Sequence, residues 1–231
     1  MTEPATDQVA DEAGATPDRR RERLLVVIGG ALVMFLLGAV AATLVQVAAD
    51  DTAEPGPVDI GFLQDMTVHH QQAVQMAAWE RDHTTDPDLH QLAYDIESTQ
   101  TAEIGRMQGW LALWEAPALP LGEHMTWMTG SAGHAHHGGG GDDGVTTMPG
   151  MASPRELQAL RAASGPEFDV LFLQLMLRHH EGGVPMLAHA AEHATVPQVR
   201  NFAGGILAAQ QNESRLLRNL LAERGAAPLP L

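Results

Sequence analysis

Phe62-Leu-Gln-Asp-Met66-Thr-Val-His69-His70 and Phe172-Leu-Gln-Leu-Met176-Leu-Arg-His179-His180 are two versions of one stretch, and each is followed by a further methionine, Met76 or Met186. On a helix, residues three, four and seven positions apart share a face. The methionines and one histidine of each copy are therefore predicted to form one helical stripe. We call each copy a Met/His cassette.

The two cassettes belong to a longer internal duplication. Residues 59–111 align with residues 169–221 without a gap, and Pro87 aligns with Pro197. A helix, a turn and a second helix were therefore copied as one unit. Two copies of an amphipathic helical hairpin predict an all-α four-helix bundle with a pseudo-twofold axis.

Composition and charge exclude several functions. The formal net charge is -16, there is no lysine, and all 13 basic residues are arginine. This charge argues against nucleic-acid binding, which needs a basic surface. The chain has no cysteine, so disulfides and thiolate metal sites are excluded, and a soft metal ion would have to use methionine and histidine.

The N-terminal part of the chain predicts a membrane anchor. Residues 1–23 are read as a disordered cytoplasmic tail that ends in arginines, and residues 24–47 contain no charge. As a helix this run is ~36 Å long, enough to cross a bilayer. The arginines place the N-terminus in the cytoplasm and the rest of the protein outside it, as a single-pass cell-membrane protein. A cleaved signal peptide with a site near residues 47–49 is the alternative.

The rest of the chain divides into a linker, residues 48–57, and a duplicated domain, residues 58–224. The domain comprises a first hairpin at 58–115, a Gly/His/Met-rich loop at 116–152 and a second hairpin at 153–224. Helices are predicted from Val58 to Asp82, Asp88 to Trp114, Pro154 to Ala163, Pro166 to Ala194 and Gln198 to Arg224. Within the fourth of these, Pro185 should bend the helix.

The cassettes predict a site for a soft metal ion. Thioether sulfur is a soft ligand and imidazole a borderline one, so the combination suits Cu(I), with Ag(I) as its mimic, although another transition metal is left open. Methionine and histidine at duplicated positions are more than packing requires. The predicted ligands are Met66, His69, His70, Met76, Met176, His179, His180 and Met186.

Two further groups of residues accompany the cassettes. Gln100 and Glu103, matched by Gln210 and Glu213, share a helix face and could orient the imidazoles, or could simply bridge helices. The glycine-rich loop carries possible additional metal ligands: His124, Met125, Met128, His134, His136, His137, Met148 and Met151. His83 and His193 also match between the copies, and helix capping is the expected role for both.

Two other interpretations stay open on the residues alone. Glu80-Arg-Asp-His83 has the Glu-x-x-His spacing of di-iron bundles, which would suggest a ferritin-like redox enzyme, but its duplicated position is Ala190-Ala-Glu-His193 and lacks the glutamate. The second alternative is a helical interaction module without a metal ion. The sequence also leaves open whether the protein forms a homo-oligomer.

The motifs resemble a known bacterial family. Met148-Pro-Gly-Met151 followed by Met176-Leu-Arg-His179-His180-Glu-Gly-Gly-Val-Pro-Met186, together with the first cassette and Gln100-x-x-Glu103, is similar to the family called domain of unknown function 305. The resemblance implies a ferritin-like helical bundle, exported or anchored in the membrane, and copper binding in some members. It implies no catalytic activity. We therefore expect a copper-binding, non-enzymatic protein that serves copper tolerance or trafficking.

Overall fold

The computed structural model describes Met34, residues 53–128 and residues 144–231, and over these residues the protein is all-α. The chain separates into two units, residues 1–52 and 53–231. Among the residues described, no helix is both long enough and apolar enough to span a membrane. The predicted anchor lies outside the described residues except for Met34, so it stays a prediction.

Five α-helices and a short 3-10 turn make up the second unit. The helices are α1 (Pro57–His83), α2 (Pro87–Leu113), α3 (Pro154–Ala162), α4 (Gly165–His193) and α5 (Pro197–Glu223), and the 3-10 turn is Thr126–Met128. Each predicted helix is confirmed to within one residue at either end. Four of the five begin with proline, whose fixed φ angle suits the first helical position.

Side-chain caps set several of these helix starts. Asp86 accepts hydrogen bonds from the backbone N–H groups of Asp88 and Leu89 at 2.9 and 3.3 Å. Ser153 and Glu156 form a capping box at the start of α3. At the other end of the hairpin, Gly225 follows α5 with a φ angle of 64°, a conformation that glycine adopts without strain.

The duplication becomes two hairpins, α1–α2 and α4–α5, which meet through α1 and α4. These two helices are antiparallel. Asp59, at the start of α1, accepts hydrogen bonds from the backbone N–H groups of Thr195 and Val196, which follow α4. At the opposite end, the ring of His83 lies 5.9 Å from that of Phe168 near the start of α4.

The hydrophobic core consists of two clusters, and both halves of the duplication contribute to each. One cluster contains Met76 and Met176, and the other contains Met66 and Met186. Because α1 and α4 are antiparallel, the first methionine of one cassette shares a cluster with the last methionine of the other. The predicted stripe of each cassette is therefore divided between the two clusters, with the histidines between them along the helix.

The described parts of the long loop are held against the bundle. The buried carboxylate of Asp65 accepts hydrogen bonds from the Nδ1 of His124 at 2.6 Å and from the Met125 N–H and the Trp127 indole, both at 2.7 Å. Trp127 in turn packs against α1 at Gly61, where a β-carbon would lie 2.4 Å from its ring. Hydrogen bonds and packing therefore fix residues 124–127 of the loop against α1.

Helix α4 continues through Pro185 without interruption. Gly182, three residues before Pro185, makes room for the loop. A β-carbon on Gly182 would lie 2.4 Å from the Pro149 carbonyl and 2.5 Å from the Cα of Gly150, so the loop backbone crosses the helix where a side chain is absent. This crossing brings Pro149 to the centre of the bundle.

Candidate metal centre

The four cassette histidines occupy the middle of the bundle. His69, His70, His179 and His180 are all fully buried. His69 and His179 face each other across the α1–α4 interface, with ring centroids 3.8 Å apart. The adjacent histidines, His70 and His180, turn instead toward the second helix of their own hairpin, where they contact Glu103 and Glu213.

Backbone carbonyls fix the protonation of the facing pair. The Nε2 of His69 lies 3.2 Å from the Pro149 carbonyl, and the Nε2 of His179 lies 3.0 Å from the carbonyl of His69. A carbonyl can only accept, so each Nε2 must carry the proton and donate it. In the neutral imidazole the lone pair is then on Nδ1.

Carboxylates hold the other two histidines in the same way. The Nε2 of His70 lies 3.0 Å from Glu103, and the Nε2 of His180 lies 2.7 Å from Glu213. Both glutamates are only half-buried and reach the core from α2 and α5. The carboxylate oxygen accepts and Nε2 donates, and the predicted role of Glu103 and Glu213 in orienting the imidazoles agrees with these contacts.

The remaining nitrogen of each ring has no partner. The Nδ1 atoms of His69, His70, His179 and His180 are buried and make no hydrogen bond in the described structure. An unpaired buried polar group costs about 1–3 kcal/mol, so four of them in one core need a reason. Each Nδ1 carries a lone pair, through which imidazole binds a cation.

Burial keeps the facing pair uncharged. It lowers the pKa of His69 to about 3, with the nearby His70 adding to the effect, and the hydrogen bond to Pro149 opposes it. Burial, followed by the neighbouring histidines, also holds the pKa of His179 well below its ordinary value. Both imidazoles are therefore neutral at physiological pH, which is the form that binds metal ions.

The two predicted glutamines lie in the same core. Gln100 and Gln210 are buried, and neither amide group makes a hydrogen bond with any residue that the structure describes. A β-carbon on Gly183 would lie 3.2 Å from the Cε1 of His69 and 3.3 Å from the Oε1 of Gln210, so both side chains approach α4 where a side chain is missing. The Gln210 amide therefore lies beside the His69 imidazole, and both glutamines add polar groups to the interior of the bundle.

The cassette methionines are all in the core. Met66, Met76, Met176 and Met186 are at most 1% exposed. Met107 and Met148 are buried in the cluster that contains Met66 and Met186. Thioether groups therefore lie in the apolar clusters on both sides of the histidines, although this arrangement is also what packing alone would produce.

The loop residues are less uniform. Met125, Met128 and Met151 are half-buried against the bundle, and His124 is bonded to Asp65. His134, His136 and His137 lie outside the described residues. The described part of the loop therefore packs methionine side chains against the core. These side chains do not form a separate cluster of metal ligands within the described residues.

The chemistry of the donor atoms indicates the kind of ion. Within residues 53–128 and 144–231, no group of three or more histidine or carboxylate side chains is placed to hold a metal ion. Hard cations prefer oxygen ligands, and zinc sites use histidine, cysteine and carboxylate groups. A soft monovalent ion, which thioethers and a few imidazoles satisfy, fits this set of donors better.

A groove connects the surface with one of the glutamates. It lies between α2 and α5, has a volume of about 440 Å³, and is lined by Glu103, Arg106, Phe202 and Gly205 among others. Arg106 lies over the Phe202 ring at 5.1 Å. Because Glu103 also contacts His70, this side chain links solvent with the buried centre.

Duplication identified the histidines but not every residue that supports them. Asp65 aligns with Leu175 and Gly183 with Ala73, so neither is marked by the repeat. Asp65 could have been noticed as a charge between Leu63 and Met66 on an apolar helix face. Pro149 could not, because only its backbone carbonyl contacts His69.

Among the described residues, the Glu-x-x-His stretch does not form a metal site. Glu80 is buried and close to Asp169, which contributes to a raised pKa. His83 is exposed, and its Nδ1 donates to the Trp79 carbonyl at 2.8 Å, which confirms its capping role. The side chains of Glu80 and His83 therefore lie in different environments, one buried and one exposed.

Comparison with known proteins identifies the family. The sequence profile of the domain of unknown function DUF305 matches residues 59–221. No curated protein is significantly similar in sequence to the chain.

Solved structures share this fold. A DUF305 protein from Streptomyces coelicolor is 41% identical, with a TM-score of 0.66 over 75% of this chain and 98% of the other. A DUF305 fragment from Deinococcus radiodurans is 27% identical, with a TM-score of 0.58 over 73% and 98%. CopM in its Cu(II)-bound form is 26% identical, with a TM-score of 0.54 over 71% and 96%. The fold, the matched profile and the paired histidines together show that the chain belongs to the DUF305 family.

Proposed function

We propose that this protein binds Cu(I) through the four buried histidines, without catalysing a reaction, and serves copper tolerance or trafficking. The observation that carries the proposal is the set of four buried Nδ1 atoms without hydrogen-bond partners. In each ring the Nε2 atom is already engaged, so only Nδ1 is left for an ion. Methionine sulfur in both core clusters makes the surroundings suitable for a soft cation.

The relatives support copper as the ion. CopM, which is similar in fold and 26% identical in its Cu(II)-bound form, has been solved with copper. Its Cu(I)-bound form matches the fold at 23% identity with a TM-score of 0.53. The absence of cysteine leaves imidazole and thioether as the soft ligands of this chain.

The groove between α2 and α5 gives the ion a route to the centre. A cation attracted by the acidic chain would meet Glu103 at the groove and then His70, which Glu103 contacts. Glu213 occupies the corresponding place at His180. The carboxylates would thus both orient the rings and draw the cation inward.

The N-terminal sequence supports a location at the cell membrane. The arginine-flanked apolar run at residues 24–47 supports a single-pass anchor with the bundle on the extracytoplasmic side. In that position the protein would meet copper outside the cytoplasm. Fractionation of cells, followed by protease treatment of intact spheroplasts, tests this orientation: the bundle should be digested and the N-terminal tail protected.

The binding experiment compares the wild type with a His69→Leu/His179→Leu variant. Cu(I) is titrated anaerobically against a chromogenic chelator, and Ag(I) by calorimetry. We expect the variant to lose the tightest-bound equivalent of both ions. Its metal-free form should still fold, as checked by circular dichroism, because leucine fills the core and the loss of two Nε2 hydrogen bonds is offset by the removal of two unpaired Nδ1 atoms.

His83→Leu is the matched control. His83 is also a histidine retained in the duplication, but it is exposed and lies outside the centre, so both ions should bind this variant as they bind the wild type. The proposal is wrong if the core variant folds and still holds its tightest equivalent. Ligands other than the facing pair would then hold that ion.

A further inference from the structure

One end of the bundle carries two stacked tryptophans at its surface. Trp110 and Trp114 are half-buried near the end of α2, with ring centroids 6.5 Å apart and an interplanar angle of 9°. Trp110 also meets the ring of Phe202 edge-on at 5.2 Å. Leu113, on the same turn of the helix, is 75% exposed. We call Trp110, Leu113 and Trp114 the tryptophan patch.

The duplication supplies a comparison for this patch, because the aligned residues end α5 at the opposite end of the bundle. A leucine and two charged residues stand there in its place: Leu220, Glu223 and Arg224. Arg224 pairs with Asp86. Residues 107–121 contain one charged side chain, Glu115, whereas the aligned residues 217–231 contain three. The hairpin therefore does not itself require an aromatic, nearly uncharged end.

The tryptophan patch lies at the end of the bundle where α1 begins. The Nε2 of Gln64, two turns into α1, donates to the carbonyl of Pro117, just after α2, at 2.7 Å. Residues 48–56 link α1 to the anchor that we propose at residues 24–47. Nine residues span at most ~30 Å when fully extended, so this linker keeps the start of α1 within that length of the bilayer.

Tryptophan at an exposed apolar surface favours a particular partner. Its ring suits the headgroup level of a bilayer, where the apolar body is buried and the indole N–H stays near water. We propose that the tryptophan patch docks on the lipid bilayer, at the boundary between headgroups and acyl chains. This inference rests on the proposed single-pass anchor, which brings that end of the bundle to the membrane.

Apolar contact, and not charge, holds the patch on the bilayer. The formal net charge of the chain is -16, so anionic headgroups repel the protein as a whole. Burial of Leu113 and of the exposed parts of the tryptophan rings is favourable without charge, and salt does not screen it. Docking should therefore occur on uncharged phosphatidylcholine and should persist at high salt.

The test measures contact between tryptophan and lipid. The full chain is reconstituted at one copy per phosphatidylcholine nanodisc, with or without bromine on the acyl chains near the headgroup. Bromine quenches tryptophan fluorescence only at contact distance. We expect the wild type to emit less light in brominated discs than in plain discs, to the same extent at low and at high salt.

Three variants locate that contact. Leu113→Glu keeps all four tryptophans and places a charge in the patch, as Glu223 does at the other end, so most of the quenching should be lost. Leu216→Glu, the matched change of an exposed leucine on α5, should be quenched like the wild type. Trp110→Phe/Trp114→Phe should also lose the quenching, because the remaining tryptophans lie away from the patch.

The outcomes separate docking from the anchor and from self-association. A wild type that enters discs but emits equally in brominated and plain lipid overturns docking and leaves the anchor intact, as does quenching that Leu113→Glu, folded by circular dichroism, does not reduce. A wild type that enters no disc refutes the anchor, and docking with it. A change in tryptophan emission that needs two copies in one disc would assign the patch to a second chain and overturn the proposal.

Discussion

Each cassette histidine uses one ring nitrogen for structure and leaves the other unpaired. At His69 and His179 a carbonyl takes the Nε2 proton, and at His70 and His180 a carboxylate does. A core histidine that served packing alone would gain by bonding both nitrogens or by being replaced by leucine. The unpaired atoms therefore lower the stability of the fold, as is common for residues of binding sites.

The buried carboxyl of Glu80 leads to a separate prediction about the pH dependence of stability. Burial raises its pKa to about 8, with Asp169 as the next cause, while Asp86 acts in the same direction and Arg224 opposes it. The folded protein therefore holds a proton that the unfolded chain releases above its ordinary pKa of 4.5. The contribution of this group to the free energy of unfolding should be highest below about pH 4.5. It should fall as the pH rises through 8, by ~1.4 kcal/mol for each pH unit between the two pKa values.

Glu80→Gln removes this dependence because the amide does not ionise. We expect the variant to be more stable than the wild type at pH 8 and similar to it at pH 4.5, as measured by urea denaturation across the range. Glu167→Gln, at an exposed carboxylate in α4, is the control and should keep the wild-type profile. An unchanged slope in the Glu80 variant would show that this carboxyl is ionised in the folded protein.

At the scale of the element, α4 carries two glycines that make room for its neighbours. Gly182 lets the Pro149–Gly150 backbone cross the helix, and Gly183 lies against His69 and Gln210. Glycine is a poor helix former, so this local sequence alone would favour a weak or bent helix. The packed loop and the two hairpins supply the stability that the sequence of α4 lacks.

Gly182→Ala should therefore destabilise the protein despite the better helix propensity of alanine. Its β-carbon would lie 2.4 Å from the Pro149 carbonyl group, where only backbone movement can relieve the contact. We expect a loss of about 1–3 kcal/mol in the free energy of unfolding, as overpacked cores show. Chemical denaturation measures this loss.

Gly205→Ala is the matched control on α5. Nothing lies within 4 Å of a β-carbon at this position, and the residue is exposed. The substitution should raise stability by about 0.4–1 kcal/mol because it restricts the unfolded chain and favours the helix. Equal stabilisation by both variants would mean that the loop does not press on α4.

At the scale of the whole molecule, the centre joins the two halves of the duplication. His69 and His179 touch across the only extensive interface between the two hairpins that the described residues form, and the two core clusters each contain residues of both halves. A bound ion would thus stabilise one bundle rather than two independent hairpins. Binding to the folded state alone contributes RT ln(1 + [L]/Kd), which is ~2.7 kcal/mol at 100 times Kd.

Hydrogen exchange with and without Ag(I) tests this coupling. We expect amides in α1, α2, α4 and α5 to gain protection together, since opening either hairpin separates the ligands. A His69→Leu/His70→Leu variant, altered in the first half only, should lose the added protection in both halves. Protection that stays in the second hairpin of this variant would indicate two independent sites.

The sequence alone determined the helices, the duplication and the identity of the central side chains. Periodicity, proline at helix starts and matched polar residues are local or repeated features, and they can be read without knowing how the hairpins meet. His69, His70, His179 and His180, with Glu103 and Glu213, were identified in this way.

Only the tertiary structure decided how those residues combine. It divided each cassette between two core clusters, turned His69 toward His179, and brought the Pro149 carbonyl and the Asp65 carboxylate to contacts that no spacing predicts. The physical reason is that α1 and α4 pack antiparallel. The first methionine of one cassette therefore shares a core cluster with the last methionine of the other. Contacts through backbone atoms, or at positions where the two halves differ, leave no pattern in a single sequence.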